Sequence, residues 1–176
     1  MAFKLKLFGG ILLLLLASTE LFAQKIDEAD TRAIVQANYI YQFATNCNWP
    51  NEVKKGKFYI GVLGNVPLVE NLKEKYGSKP AGTQIIEISS LTDIPTTQFF
   101  HILFIDKSRK NDLAKAIKEL KSKNTLIITN WEGAIAGGAH INFKSLSNAI
   151  RYEMNETLML EKKIQPGIKI LQWKID

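Results

Sequence analysis

Apolar residues recur at spacings of three and four through Ile26, Ala29, Ala33, Ile34, Ala37, Ile40, Tyr41 and Ala44. That is the period of a helix with one buried stripe, and it predicts a helix over residues 27–45. Pro50 halts it, because the residue before a proline is pushed out of helical backbone. Residues 58–63, Phe-Tyr-Ile-Gly-Val-Leu, form a nearly continuous apolar run, as a strand covered on both faces would. Gly64 and Asn65 turn the chain. Pro67 suits the first turn of a second helix, with Leu68, Val69, Leu72 and Tyr76 as its buried stripe and Gly77 at its end.

The same alternation continues. Residues 83–88 predict a short strand, and residues 99–105, Phe-Phe-His-Ile-Leu-Phe-Ile, predict the centre of the sheet. Asp106 ends that strand and Ser108 is the expected cap of a helix that turns Leu113, Ile117 and Leu120 inward and lysines outward. Residues 125–129 predict the next strand. Buried strands alternating with helices imply an α/β fold, a three-layer sandwich whose sheet is mostly parallel with helices on both faces. The order then changes. A loop with Gly133, Gly137 and Gly138 follows Trp131. Residues 139–143 and 149–154 predict an antiparallel hairpin at the sheet edge. A helix is expected over 155–163 and a last strand over 167–173.

The first 23 residues have another character. Lys4 and Lys6 precede an apolar run over residues 7–17, and Leu21-Phe22-Ala23 follows. Basic start, apolar core and small-residue end are the layout of a secretory signal peptide, and the run is short of the ~20 residues that a membrane span needs. Two segments are therefore expected: residues 1–23 as an export signal cleaved near Ala23, and residues 24–176 as one α/β domain working outside the cytoplasm.

Composition narrows the chemistry. The formal net charge is +6, but the lysines are spread over several short clusters and suit solvated helix faces better than a nucleic-acid surface. Cys47 is the single cysteine, so no internal disulfide forms, and a small buried side chain is its expected role. No phosphate-binding glycine motif, phosphate-loop lysine or nucleophile elbow is present. His101 and His140 lack metal-ligand spacing. His101, inside the most apolar strand, reads as a hydrogen-bonded core residue, and His140 as a surface residue. No catalytic residues, metal or cofactor are assigned.

Arg151 stands out. It is one of three arginines beside many lysines, with Arg32 and Arg109. In an extended run, Arg151 and Glu153 share one face. They read either as an ion pair on that face or as a floor for an anionic ligand or partner, to which a guanidinium can offer a two-pronged contact.

Several segments in order resemble the YfiR-like family. They are Ala37-Asn38-Tyr39-Ile40-Tyr41-Gln42-Phe43 followed by Trp49-Pro50, and Ile60-Gly61-Val62-Leu63-Gly64. They continue with His101-Ile102-Leu103-Phe104-Ile105 with Ser108, Gly137-Gly138-Ala139-His140-Ile141-Asn142-Phe143, and Ile150-Arg151-Tyr152-Glu153-Met154-Asn155. The likeness runs from about Ala29 to the C terminus. It implies a three-layer α/β fold and structural roles for Trp49, Pro50, Gly61, Gly64 and His101. It also implies a periplasmic repressor that acts on the sensing part of a membrane-bound diguanylate cyclase, lowers cyclic di-GMP and so controls biofilm formation, and that can form a homodimer. Where relatives carry a cysteine before the central strand this chain has Phe100, and the acidic residue before Trp-Pro is Asn48, so redox control by disulfides does not carry over.

The expected surface for a partner or ligand comprises Trp131, Gly137, Gly138, Asn142, Arg151 and Glu153, where strands and loops leave regular packing. A second reading is a periplasmic small-ligand sensor serving another membrane sensor. Its pocket would lie at the C-terminal ends of the parallel strands, near Gly64-Asn65, Asp106 and Asn130-Trp131. A third reading, a secreted hydrolase, requires His101 or His140 to meet a carboxylate.

Overall fold

Ala33, Ala37, Ile40, Phe43 and Ala44 are all buried along one side of helix α1 (residues 30–46). The computed structural model describes residues 30–147 and 149–175. The predicted export segment and its cleavage point lie outside the described residues. Helix α1 runs into a two-residue strand, β1 (Cys47–Asn48), and Pro50 then opens a short 3₁₀ turn at Asn51–Val53.

Among the described residues the main sheet has seven strands. They are β2 (Phe58–Leu63), β3 (Pro80–Ala81), β4 (Gln84–Leu91), β5 (Ile102–Ile105), β6 (Leu126–Thr129), β7 (Ile141–Leu146) and β8 (Ala149–Met154). Their spatial order is β3-β4-β2-β5-β6-β7-β8. Pairing is parallel from β4 to β7 and antiparallel at both edges, β3 on β4 and β8 on β7. The all-apolar β5 is the central strand, as its composition predicts, and β7–β8 is the expected edge hairpin.

Helix α2 (Val66–Tyr76) crosses from β2, with Asn65 as its cap: the Asn65 side chain accepts from the Leu68 amide. After β5 comes a 3₁₀ segment (Lys107–Asp112) and then α3 (Leu113–Glu119). The cap of that unit is Asp106, whose carboxylate accepts from the Ser108 amide, rather than Ser108. A carboxylate accepts from a free helix amide at least as well as a hydroxyl, and Asp106 already sits at the strand end. The chain finishes with α4 (Glu156–Glu161), β9 (Gln165–Pro166) and α5 (Ile168–Trp173).

The segment over 167–173 is thus a helix, not the last strand its β-branched residues suggest. Of its apolar residues only Ile170 is buried, while Ile168 and Trp173 are exposed. One buried residue per turn is a helical pattern, and packing overrides strand propensity here. The extended pairing expected there falls earlier and is brief: β9 pairs with β1, Cys47 opposite Pro166. Cys47 is buried. Burial pushes its thiol up to about 12, against a hydrogen bond from the Gly167 backbone, so it is an inert core group as expected.

Two apolar clusters flank the sheet. The larger joins α1, α2, α4 and α5 to Phe58, Ile60, Val62, Ile102, Phe104, Ile128, Phe143 and Tyr152. The smaller joins α3 and the 131–139 loop to Leu63, Leu103, Ile105 and Ile127. In β2, β5 and β6 alternate residues serve opposite clusters, which makes the three-layer sandwich. Among the described residues no helix is long and apolar enough to cross a membrane.

Candidate functional site

No residue of β7 or β8 joins the smaller cluster. On that face α3 covers the sheet centre and stops, and the hairpin edge carries polar groups instead. Asn142 and Lys144 of β7 point there because Ile141 and Phe143 point into the larger cluster. Arg151 and Glu153 of β8 share the same face, with Asn142 opposite Glu153 and Lys144 opposite Arg151.

Asn142 organises this rim. It is buried. Its Oδ1 accepts from Thr129 Oγ1 at 2.8 Å and from the Trp131 amide at 3.1 Å. Its Nδ2 donates to Glu153 Oε1 at 2.9 Å. The other oxygen of Glu153 lies 3.3 Å from Lys144 Nζ. One amide therefore ties the end of β6, the start of the glycine loop and both hairpin strands into a single frame, and a buried amide paired through both its oxygen and its nitrogen holds its neighbours in register.

Arg151 stands beside the frame without joining it. It is exposed, and among the described residues its guanidinium donates only to the Ile150 carbonyl, at 3.3 Å. The sequence allows an Arg151–Glu153 ion pair, but Glu153 turns to Lys144 across the strands, leaving Arg151 with no counter-ion among the described residues. Two cations directly opposite on a sheet repel each other, and Glu153 offsets only one of them.

The loop glycines have a different task. Gly138 has φ +99°, and a Cβ there would meet Ile117 Cδ1 at 2.6 Å; one at Gly137 would lie 3.2 Å from Leu113 Cδ2. They press the loop onto α3. Trp131, partly buried, packs on the same smaller cluster while its amide is held by Asn142. The expected set therefore divides. Asn142, Glu153 and the Trp131 backbone are linked, Arg151 is adjacent, and Gly137 and Gly138 shape the loop. Thr129 and Lys144 complete the frame and were not singled out from the sequence. The alternation of β7 places Lys144 beside Asn142, but only the hairpin register brings it to Glu153.

A second polar knot sits where β2, β5 and β6 end. Asp106 Oδ1 accepts from Asn65 Nδ2 at 3.1 Å and from Asn130 Nδ2 at 2.8 Å, while Oδ2 accepts from the Ser108 amide at 2.8 Å. Burial pushes the carboxyl up, but these hydrogen bonds outweigh it and hold the group below the usual carboxylate range. Asn130 Oδ1 accepts from the Lys107 amide at 2.7 Å. Gly64 permits the junction: its φ is +90°, and a Cβ would meet Arg109 Cγ at 2.6 Å. The structure thus brings Asn65, Asp106 and Asn130 together at the strand ends, as the second reading of the sequence places them.

The other motif residues are structural. Trp49 donates from Nε1 to the Ala44 carbonyl at 3.2 Å and meets Phe58 and His101 edge-on, and Pro50 begins the turn after it. Gly61 lies against Leu91 and Phe100. His101 is the core residue its setting predicts: Nδ1 accepts from the Tyr59 amide at 3.0 Å and Nε2 donates to the Val53 carbonyl at 2.8 Å. Burial lowers its basicity.

His140 is not the surface residue expected. It is buried and its Nδ1 accepts from the Ile127 amide at 2.9 Å. Burial, with some repulsion from Lys162, lowers its pKa to about 4. The residue lies just before β7 and between paired strands, so sheet pairing on both sides covers it: its amide donates to Ile127 and its carbonyl accepts from Asn155. Both imidazoles make their hydrogen bonds to backbone groups, not to a carboxylate.

The family described as YfiR/HmsC-like matches residues 33–173, nearly all of the described chain. No curated protein matches it. The chain belongs to the YfiR/HmsC-like family.

Proposed function

We propose that this member of the YfiR/HmsC-like family is an exported regulatory protein that docks on the periplasmic part of a membrane-bound signalling enzyme. The enzyme is a diguanylate cyclase, and docking restrains it and lowers cyclic di-GMP. Family membership supports a regulatory role over a catalytic one. The signal-like residues 1–23 support export. The observation that carries the docking surface is Arg151: an exposed guanidinium with no counter-ion among the described residues, opposite Lys144 and beside the Asn142–Glu153–Lys144 frame that also holds the Trp131 amide. A polar frame beside a cation that is unpaired among the described residues suits a partner carboxylate, and arginine and tryptophan are favoured anchors at interfaces.

Deletion of the gene in its host and measurement of cyclic di-GMP test this reading. A rise on deletion, reversed by the native chain but not by Arg151→Glu at equal protein level, is expected. Unchanged cyclic di-GMP on deletion, or full reversal by Arg151→Glu, would overturn it.

A further inference from the structure

A cavity of about 230 Å³ lies between the N-terminal half of α1 and the ends of the parallel strands. It is on the opposite face of the sheet from the Arg151 rim, since Phe143 and Ile150 line it and belong to the larger cluster. Drug-sized ligands occupy pockets of about 300–1,000 Å³, so this one fits a smaller metabolite.

Gln36 is the telling residue. It lines the cavity, is 5% exposed, and its side chain makes no hydrogen bond among the described residues. Yet among those residues no fully enclosed side-chain nitrogen or oxygen is orphaned. The Gln36 amide therefore opens into the cavity and has nothing to bond there but an occupant or water. A buried polar group is normally paired, and the Gln36 side chain is unpaired where it lines this cavity.

Two cations and one carboxylate line it, a positive balance. Asp106 reaches the cavity, but its oxygens are taken by Asn65, Asn130 and Ser108. Arg32 and Lys107 also line it and have no ion pair among the described residues. The open charge is positive. The remaining wall includes Pro67, Phe143 and Ile150, which want an apolar body.

We propose that this cavity is a binding site for a small organic carboxylate, its anionic head on Arg32 and Lys107, its apolar body against Phe143 and Ile150, and Gln36 bonded to it. The site is independent of the docking reading and stands or falls alone.

The test uses nitrogen-labelled full chain followed by amide NMR during titration with phenylacetate and with hexanoate. Phenylacetamide and inorganic phosphate serve as comparisons. The expected result is saturable binding of both carboxylates that shifts the Gln36 and Asn130 side-chain amides. Arg32→Gln, a surface change that leaves the core intact, should weaken it by about tenfold, the loss of one charge-assisted hydrogen bond. Gln36→Leu should weaken it too. Absence of saturation, equal binding of phenylacetamide, shifts confined to other regions, or unchanged affinity in both Arg32→Gln and Lys107→Gln would overturn the site. Shifts reproduced in full by phosphate alone would overturn the part assigned to the apolar body.

Discussion

The two faces of the sheet are built from the same strands and end differently. On one face four helices cover the strands and the hairpin together, and Phe43, Phe143, Tyr152 and Tyr39 interlock at ring-centroid separations of 4.9–6.2 Å. On the other, one short helix and a glycine loop cover only the centre, and β7 and β8 finish that face with Asn142, Lys144, Arg151 and Glu153. Where a helix covers a strand the alternate positions must be apolar. Where coverage stops, the same alternation becomes free to carry charge. The uncovered corner is thus where recognition can be placed without unfolding the body.

The contrast makes ordered predictions. Phe43→Ala, on the helix-covered face, should cost the most, about 3–5 kcal/mol as for other buried aromatic truncations, read as a lower denaturation midpoint in urea. A milder change on that face, Tyr152→Phe, removes the 2.6 Å bond from its hydroxyl to the Ile170 carbonyl and should cost about 1 kcal/mol. Equal losses from these two changes would contradict the packing account.

His140 sharpens the comparison through pH. Its imidazole is held neutral, with its pKa lowered from the ordinary 6.5 to about 4. The unfolded chain then binds more protons than the folded one between those values. Stability from this group is therefore complete above about pH 6.5 and is lost as pH falls toward 4, by an amount on the order of 3 kcal/mol at about 1.4 per unit. His140→Gln should flatten that part of the stability–pH curve. An acid limb of the same steepness in the variant would show that other groups govern it.

At the polar corner the expected effects are smaller in stability and larger in recognition. Asn142→Ala strands the Trp131 amide and one oxygen of Glu153, and should cost about 1–3 kcal/mol; an unaffected melting midpoint would mean that water replaces the frame at no cost. Arg151→Ala should change stability by less than about 0.5 kcal/mol, with a gain favoured because it relieves repulsion from Lys144. A large loss of stability in Arg151→Ala would mean that the guanidinium is part of the scaffold.

Much of this was readable along the chain. The period of α1, the two-sided run of β2, the central position of β5 and the edge hairpin all follow from local apolar pattern. The cap of the 3₁₀ unit, the helical ending and the burial of His140 do not, because each depends on what packs against the segment. The 167–173 stretch has strand-forming residues but only Ile170 finds the core. Among the site residues, Asn142 and Glu153 could be assigned from the sequence to one expected surface, but not to each other. That Glu153 pairs with Lys144 and leaves Arg151 open could not.

The sequence by itself determined the order of elements and which side of each faces inward, since periods of two and 3.6 are local properties of backbone geometry. Only the tertiary structure decided which polar groups meet. Gln36 on the first helix, Asn65, Asp106 and Asn130 after three separate strands, and Arg151 across from Lys144 are distant in the chain. Strand order and register bring them together, and those are fixed by packing of the whole sheet rather than by any one segment.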